Sequence, residues 1–357
     1  MRALLEFLSV KMGVKMANRA KYTAMLALAG TALLAAGCQS QVPSDLGDEM
    51  GNATAAPSAP SVRPAGEVIA LPEQVAQVQA MESVGEVLAL RSAGALSVGT
   101  VADFRDNSAT TVKLSPECGE LTAAGSTFVV ACGSEVRLYP ADNPRDEQVR
   151  EVEHPATAAT VLSSGELVTA NDADNEVVIY PQGEEPTTIG VAAPTTQLVS
   201  LPIEGAPDAI VRTWAEDTTI QDVDWTHDRE GGRLRVGLGV GRISAGSEGL
   251  LLASDTTGNQ LAVCTADDVI RLHQTVPVPP SPWGVAWDDH HRMAWVASTA
   301  DNLLTGWDIS QGVPQQRHDL PTVAQATSLV ALDSGTLVLA SASGEGLQVI
   351  SNPTSST

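Results

Sequence analysis

Short apolar runs and polar turns alternate along most of the chain, and the pattern repeats. Its clearest copy is ATVLSSGELVTANDADNEVVIYP, residues 159–181. Each copy reads as an apolar strand, a turn, a strand ending in small residues, a polar loop and another apolar strand. Later copies start at Ile243, Val285 and Leu329, and looser ones at Ala80 and Leu121. One more, residues 198–225, keeps the order but lengthens its first turn. Taking the third strand of each copy as a landmark gives Val98, Arg137, Val178, Asp222, Ala262, Thr305 and Gln348, spaced by 39, 41, 44, 40, 43 and 43 residues. Short strands with a period of about 40–45 residues predict a propeller of four-stranded blades. The prediction is an all-β fold of seven blades. Ser164-Gly165, Glu248-Gly249 and Ser334-Gly335 suit hairpin turns. Within strands the pattern has period two, Val177 and Ile179 facing opposite to Val178 and Tyr180. No segment after the first 37 residues predicts a helix. The last copy stops at its third strand, while residues 67–71 (EVIAL) form an orphan strand ahead of the first. Pairing these two would close the ring and remove an exposed edge.

The N-terminus has a different character. Residues 23–36 (TAMLALAGTALLAA) follow Arg19 and Lys21. This apolar run is shorter than the roughly 20 residues that span a bilayer and fits a secretory signal. It ends in Leu34-Ala35-Ala36-Gly37-Cys38, which resembles the bacterial lipobox, with Ala35 where leucine is more usual. The resemblance implies cleavage before Cys38 and acylation of its thiol with diacylglycerol. Met16 opens a more ordinary signal (MANRAKYTAM) and is an alternative start. Residues 39–63 are rich in Ser, Pro, Ala, Gly and acids, with too little apolar surface to offset chain entropy. The expected organisation is a signal at 1–37, a lipidated disordered linker at 38–63, a propeller at 64–350 and a polar tail at 351–357.

Charge narrows the partners. The 357-residue chain carries a formal charge of −23. Without residues 1–37 it retains 15 basic and 42 acidic residues, a net charge of −27, with Lys113 as its one lysine. Such a surface repels phosphate backbones and anionic head groups. Nucleic acid is therefore an unexpected partner, and membrane attachment would come from lipid. Exported proteins experience oxidising conditions. Cys118 and Cys132, close in sequence and near neighbouring strands, are expected to pair. Cys264 is left as a buried thiol.

The repeats resemble the YVTN/YncE-like bacterial propellers, most visibly in VTANDADNEVVIYP and WVASTADNLLTGWDIS. The resemblance covers most of residues 77–350. Trp307-Asp308 stands where a WD40 repeat has its namesake dipeptide, whereas the equivalent places read Tyr139-Pro140 and Tyr180-Pro181. The whole chain is similar to uncharacterised propeller lipoproteins of actinobacteria.

In such propellers, the loops entering the inner strands and those after the second strands share one face around the channel mouth. The repeat places Asn171, Asp174, Arg212, Trp214, Asp255 and Asp301 there, with Asp172, Asn175, Asn259, Asn302 and Glu345. It puts His154, Arg242 and Trp283 just before inner strands. Asn and Asp loops suit calcium or another divalent metal, and they equally suit turns. Trp283 is placed to stack on a sugar or a partner side chain. The eye-catching Asp288-Asp289-His290-His291-Arg292 run falls on a first-hairpin turn, on the opposite face. There is no G-x-S-x-G, H-E-x-x-H, Gly-rich phosphate loop or C-x-x-C.

Two functions remain. One is a monomeric binding or scaffold module on the outer face of the cell membrane, lipid-anchored and recognising an envelope protein or small ligand without a cofactor. The other is a lactonase-like hydrolase at the channel mouth, acting with or without a metal. A quinone-dependent dehydrogenase, another chemistry of propellers, has no cofactor-specific residue to support it.

Overall fold

The computed structural model describes residues 50–355. The signal segment, Cys38 and residues 39–49 lie outside that range. From Glu67 on, the chain forms seven β-sheets. Blade one is Ala80–Val84, Val87–Ser92, Ala95–Thr100 and Thr110–Lys113. Blade three begins at Ala158–Val161, blade four at Gln197–Leu201, blade five at Val240–Ala245, blade six at Pro282–Asp288 and blade seven at Ala326–Ala331. These innermost strands surround the central channel, and each pairs antiparallel with the next strand of its own blade.

Blade two folds one long strand, Thr127–Pro140, back on itself. The amide of Ala141 donates to the carbonyl of Ser126 at 3.0 Å, which centres a two-residue turn on Gly133-Ser134. Gly133 has φ +67°, and a hairpin turn this tight requires such left-handed backbone. The two halves of the strand supply the second and third strands of the blade, giving seven four-stranded blades.

Closure follows the sequence expectation. Glu67–Ile69 pairs antiparallel with Leu347–Ile350, with Glu67 opposite Val349 and Ile69 opposite Leu347. The first strand among the described residues thus becomes the outer strand of the last blade. Apolar side chains meet between neighbouring blades rather than in one central mass. Ile69, Leu88, Leu90, Val338, Ala340 and Leu347 join the last blade to the first. Trp295 and Leu304 meet Leu337 and Leu339 across the seam between blades six and seven.

Two segments depart from expectation. A five-residue helix, Val101–Arg105, connects the third and fourth strands of blade one. Thr100 and Asp103 cap it reciprocally, each side chain accepting from the other's backbone N–H. The second departure concerns the linker, which was expected to stay disordered through residue 63. Residues 51–65 instead lie extended on the loop face, crossing from blade four to blade seven. The amides of Gly51 and Asn52 donate to the carbonyls of Leu238 and Ala215, each at 2.8 Å. The amide of Ala65 donates to the carbonyl of Pro321 at 2.9 Å. Hydrogen bonds to the folded blades hold this strap where its own apolar surface could not.

Candidate functional site

Several side chains expected to face a ligand are committed to the fold. Asp255, 2% exposed, ends the second strand of blade five. Its Oδ1 accepts from the amides of Leu238, Gly239 and Gly258 at 3.0, 2.9 and 2.9 Å, tying two loops together. Asn171 closes its own turn: Oδ1 accepts from the amides of Ala173 and Asp174, and Nδ2 donates to the Pro155 carbonyl. The turn-forming reading fits both residues. Asp174 is exposed on the Asn171 turn, and Asp301 is exposed on the corresponding loop of blade six.

Arg212 was expected at the rim and is instead buried, with 1% exposure. Its guanidinium donates to Thr195 Oγ1 at 2.8 Å, to Gln221 Oε1 and to the carbonyls of Ala193 and Pro194. Burial lowers its pKa to about 10, so it remains a cation at neutral pH. Arg212 sits within the strand Ala209–Trp214, whose middle four residues are all buried, while Trp214 on the same strand face is half-buried at the strand end.

His154, Arg242 and Trp283 lie within strands rather than before them. His154 is exposed in the outer strand of blade two, Gln148–Ala156, with Nδ1 4.0 Å from Glu176 Oε2. Trp283 is half-buried beside Gly241 of the neighbouring blade. Arg242 belongs to the inner strand of blade five and faces the channel. Its Nη1 lies 3.1 Å from Glu120 Oε2, in the loop entering blade two.

Arg242 lines a cavity of about 240 Å³ bounded by inner-strand residues, among them Glu82, Thr122, Ser200, Ser244 and Ser328. The carboxyl of Glu82 is raised to about 7. Desolvation is the main cause; Arg242 opposes it and Glu120 adds to it. Arg91 is close enough to feel both Glu120 and Arg242, and its Nη1 donates to the Cys118 carbonyl at 3.2 Å. Cys118 is bonded to Cys132, so a disulfide fixes the loop that presents Glu120. Cys264 is free and buried, its thiol pushed up to about 12 by desolvation.

Of these charged residues, only Arg242 was expected at the site from the sequence. Glu82 had a readable signal, an acid at the centre of the inner strand Ala80–Val84. The partners Glu120 and Arg91 come together only in three dimensions.

A second group lies beneath the strap. Ser281 Oγ accepts the Ala56 amide at 2.8 Å, and Gln325 Nε2 donates to the Ala56 carbonyl at 2.7 Å. Asn302 Nδ2 donates to the Ala59 carbonyl at 2.7 Å. Glu345 accepts the Ser61 hydroxyl at 2.5 Å and the Ala324 amide at 2.7 Å. Burial pushes the Glu345 carboxyl upward, but hydrogen bonds from Ser61 and Ala324 outweigh it and hold the pKa below the ordinary value. Asn302 and Glu345 were placed on this face by the repeat; Ser281 and Gln325 were not.

On the opposite face, Asp288 Oδ1 accepts the His291 amide and Oδ2 lies 2.7 Å from His291 Nδ1, closing the turn between two strands. Among the described residues, no three His, Cys, Asp or Glu side chains converge as a metal-ligand set.

No family model and no curated protein matches the chain. Its fold does match solved structures. A chain of the mitotic checkpoint complex is 14% identical with a TM-score of 0.63, over 83% of this chain and 98% of that one. A streptogramin B lyase is 10% identical with a TM-score of 0.61, over 79% of this chain and 96% of that one. The WD40 β-propeller domain of Doa1 is 11% identical with a TM-score of 0.53, over 82% of this chain and 95% of that one. At these identities the likeness is one of fold: this chain is a seven-bladed β-propeller.

Proposed function

We propose that the protein is a lipid-anchored binding module on the outer face of the cell membrane, whose propeller recognises an envelope protein or small ligand. The observation that carries this reading is the loop face itself. Side chains from the loops of blades five to seven there hold an extended segment of chain through direct hydrogen bonds. A propeller supplies a rigid platform for such contacts, and fold neighbours include a chain of a multi-protein checkpoint complex. The anchor rests on the lipobox-like run ending in Cys38 and on a charge too acidic for attachment through basic residues. Cross-linking in intact cells followed by mass spectrometry tests recognition: a reproducible envelope partner supports it, and none above background opposes it. Cys38→Ser should move the protein from the membrane fraction to the soluble fraction. Unchanged fractionation would refute the anchor.

One observation favours a second reading, catalysis at the channel mouth. Glu82, with a pKa of about 7, is suited to accept a proton near neutrality, and Arg242 beside it could hold an anionic group. A lactonase-like hydrolase would use the pair in these roles, and a lyase shares the fold. Screening lactones and esters tests it. Turnover with an inflection near pH 7 that Glu82→Gln removes would establish this reading, and turnover unchanged by that substitution would discard Glu82 as the base.

A further inference from the structure

Within the strap, residues 56–61 read Ala-Pro-Ser-Ala-Pro-Ser, a tandem triplet. Its contacts repeat with the same period. Both alanine carbonyls accept from side-chain amides, Ala56 from Gln325 and Ala59 from Asn302. Both serine hydroxyls donate inward, Ser58 to the Thr299 carbonyl at 2.6 Å and Ser61 to Glu345. Both prolines are exposed. A three-residue contact period belongs to a polyproline II helix, which has three residues per turn and no internal hydrogen bonds, leaving its backbone free to be read from outside. Proline lacks an N–H, so its outward position costs the groove no donor.

Three further observations separate this arrangement from a merely structural tail. The ring is closed by Glu67–Ile69, downstream of the triplets, so the strap is not the closing strand. No residue from Met50 to Pro64 is fully buried, and none joins a β-ladder. The fit is also incomplete. The Ala59 carbonyl fixes the orientation of the Asn302 amide, and Asn302 Oδ1 is then buried without a hydrogen-bond partner.

We propose that the loop face of blades five to seven is a binding groove for extended, proline-rich peptides of Ala-Pro-Ser type, and that the chain's own residues 56–61 occupy it in cis. This rests on the binding-module reading and names its ligand class. A covalently attached occupant acts at an effective concentration on the order of millimolar. A peptide from another chain therefore binds when it makes better contacts or when the strap is released.

The test uses the full chain and a fluorescent peptide of residues 50–63, read by anisotropy. Two variants loosen the strap independently. Ala56→Pro with Ser61→Ala removes triplet contacts. Gly51→Val acts away from them: at φ +92° a side chain is disfavoured, and its Cβ would lie 2.0 Å from the Glu216 carbonyl oxygen. Each variant that melts cooperatively should bind the peptide at least about tenfold more tightly than the native chain. Adding Asn302→Ala and Gln325→Ala should abolish that binding, and a scrambled peptide should not bind. Absence of saturable binding to both loosened chains would overturn the proposal. So would equal affinity for the native chain, or binding that survives loss of Asn302 and Gln325. Partner capture in cells is read separately, so failure here leaves the wider reading to its own experiment.

Discussion

Asp255 and Arg212 carry opposite charges, yet the fold uses them alike: each is buried and ties loops together. Truncating either strands buried donors or acceptors, so Asp255→Ala should cost about 2–3 kcal/mol in denaturant unfolding. Arg212→Ala, which strands four acceptors, should cost about 3 kcal/mol or more. Glu82 shows the reverse balance, being held in the channel at an energetic cost. Its folded pKa of about 7 lies above the ordinary value of 4.5, so the folded state binds the proton more tightly. Its contribution is most favourable below the unfolded pKa and is lost as pH rises toward 7. Glu82→Gln should therefore flatten the fall in stability between about pH 4.5 and 7, measured by melting across pH. Glu345 has the opposite sign. Its lowered pKa makes strap docking fullest above the ordinary carboxylate range, and docking should weaken as pH falls through the lowered value. These residues also show what a sequence conceals. Asp255 and Asn171 could be assigned to loops, but period alone does not distinguish a side chain offered to a ligand from one turned back to its own backbone.

At the scale of elements, the loop entering blade two depends on the Cys118–Cys132 bond. Closing a loop of 14 residues is worth about 3 kcal/mol in the chain-entropy model. Reduction should lower stability by about that amount and free Glu120 from Arg242. Hydrogen exchange would read the second effect as lost protection at Gly119 and Glu120, whose amides donate to the carbonyls of Ala131 and Thr157. The strands themselves were readable because each copy repeats the same short apolar runs between polar turns, even where a strand such as Met293–Ser298 is buried on both faces. The helix after Thr100 was missed although Thr100 and Asp103 form a capping pair, because five residues are too few to show a helical period. The strap was missed for a different reason. Its composition is that of a disordered chain, and its order comes from Gln325, Asn302 and Glu345, more than 240 residues away in sequence.

At the scale of the whole molecule, the seven-fold period was the strongest signal, because each blade buries its faces against its neighbours and so repeats the same demand on sequence. The missing strand of the last copy and the orphan strand of the first pointed to one closure, now seen between Glu67–Ile69 and Leu347–Ile350. Deleting residues 64–72 should lower the unfolding temperature by roughly 5–10 °C, and an unchanged temperature would mean that this pairing contributes little. The same pairing constrains how the molecule comes into being. The clasp joins strands about 280 residues apart, and closing so long a loop carries an entropic cost that only the finished seam recovers. Glu67–Ile69 must wait for the last strand of the ring. Until Leu347 to Ile350 emerge, the outer position of the seventh blade is vacant and residues 67–69 have no strand to join. A chain truncated near its C-terminus would therefore lose more than its final blade: it would leave both ends of the ring unpaired, where other chains could add.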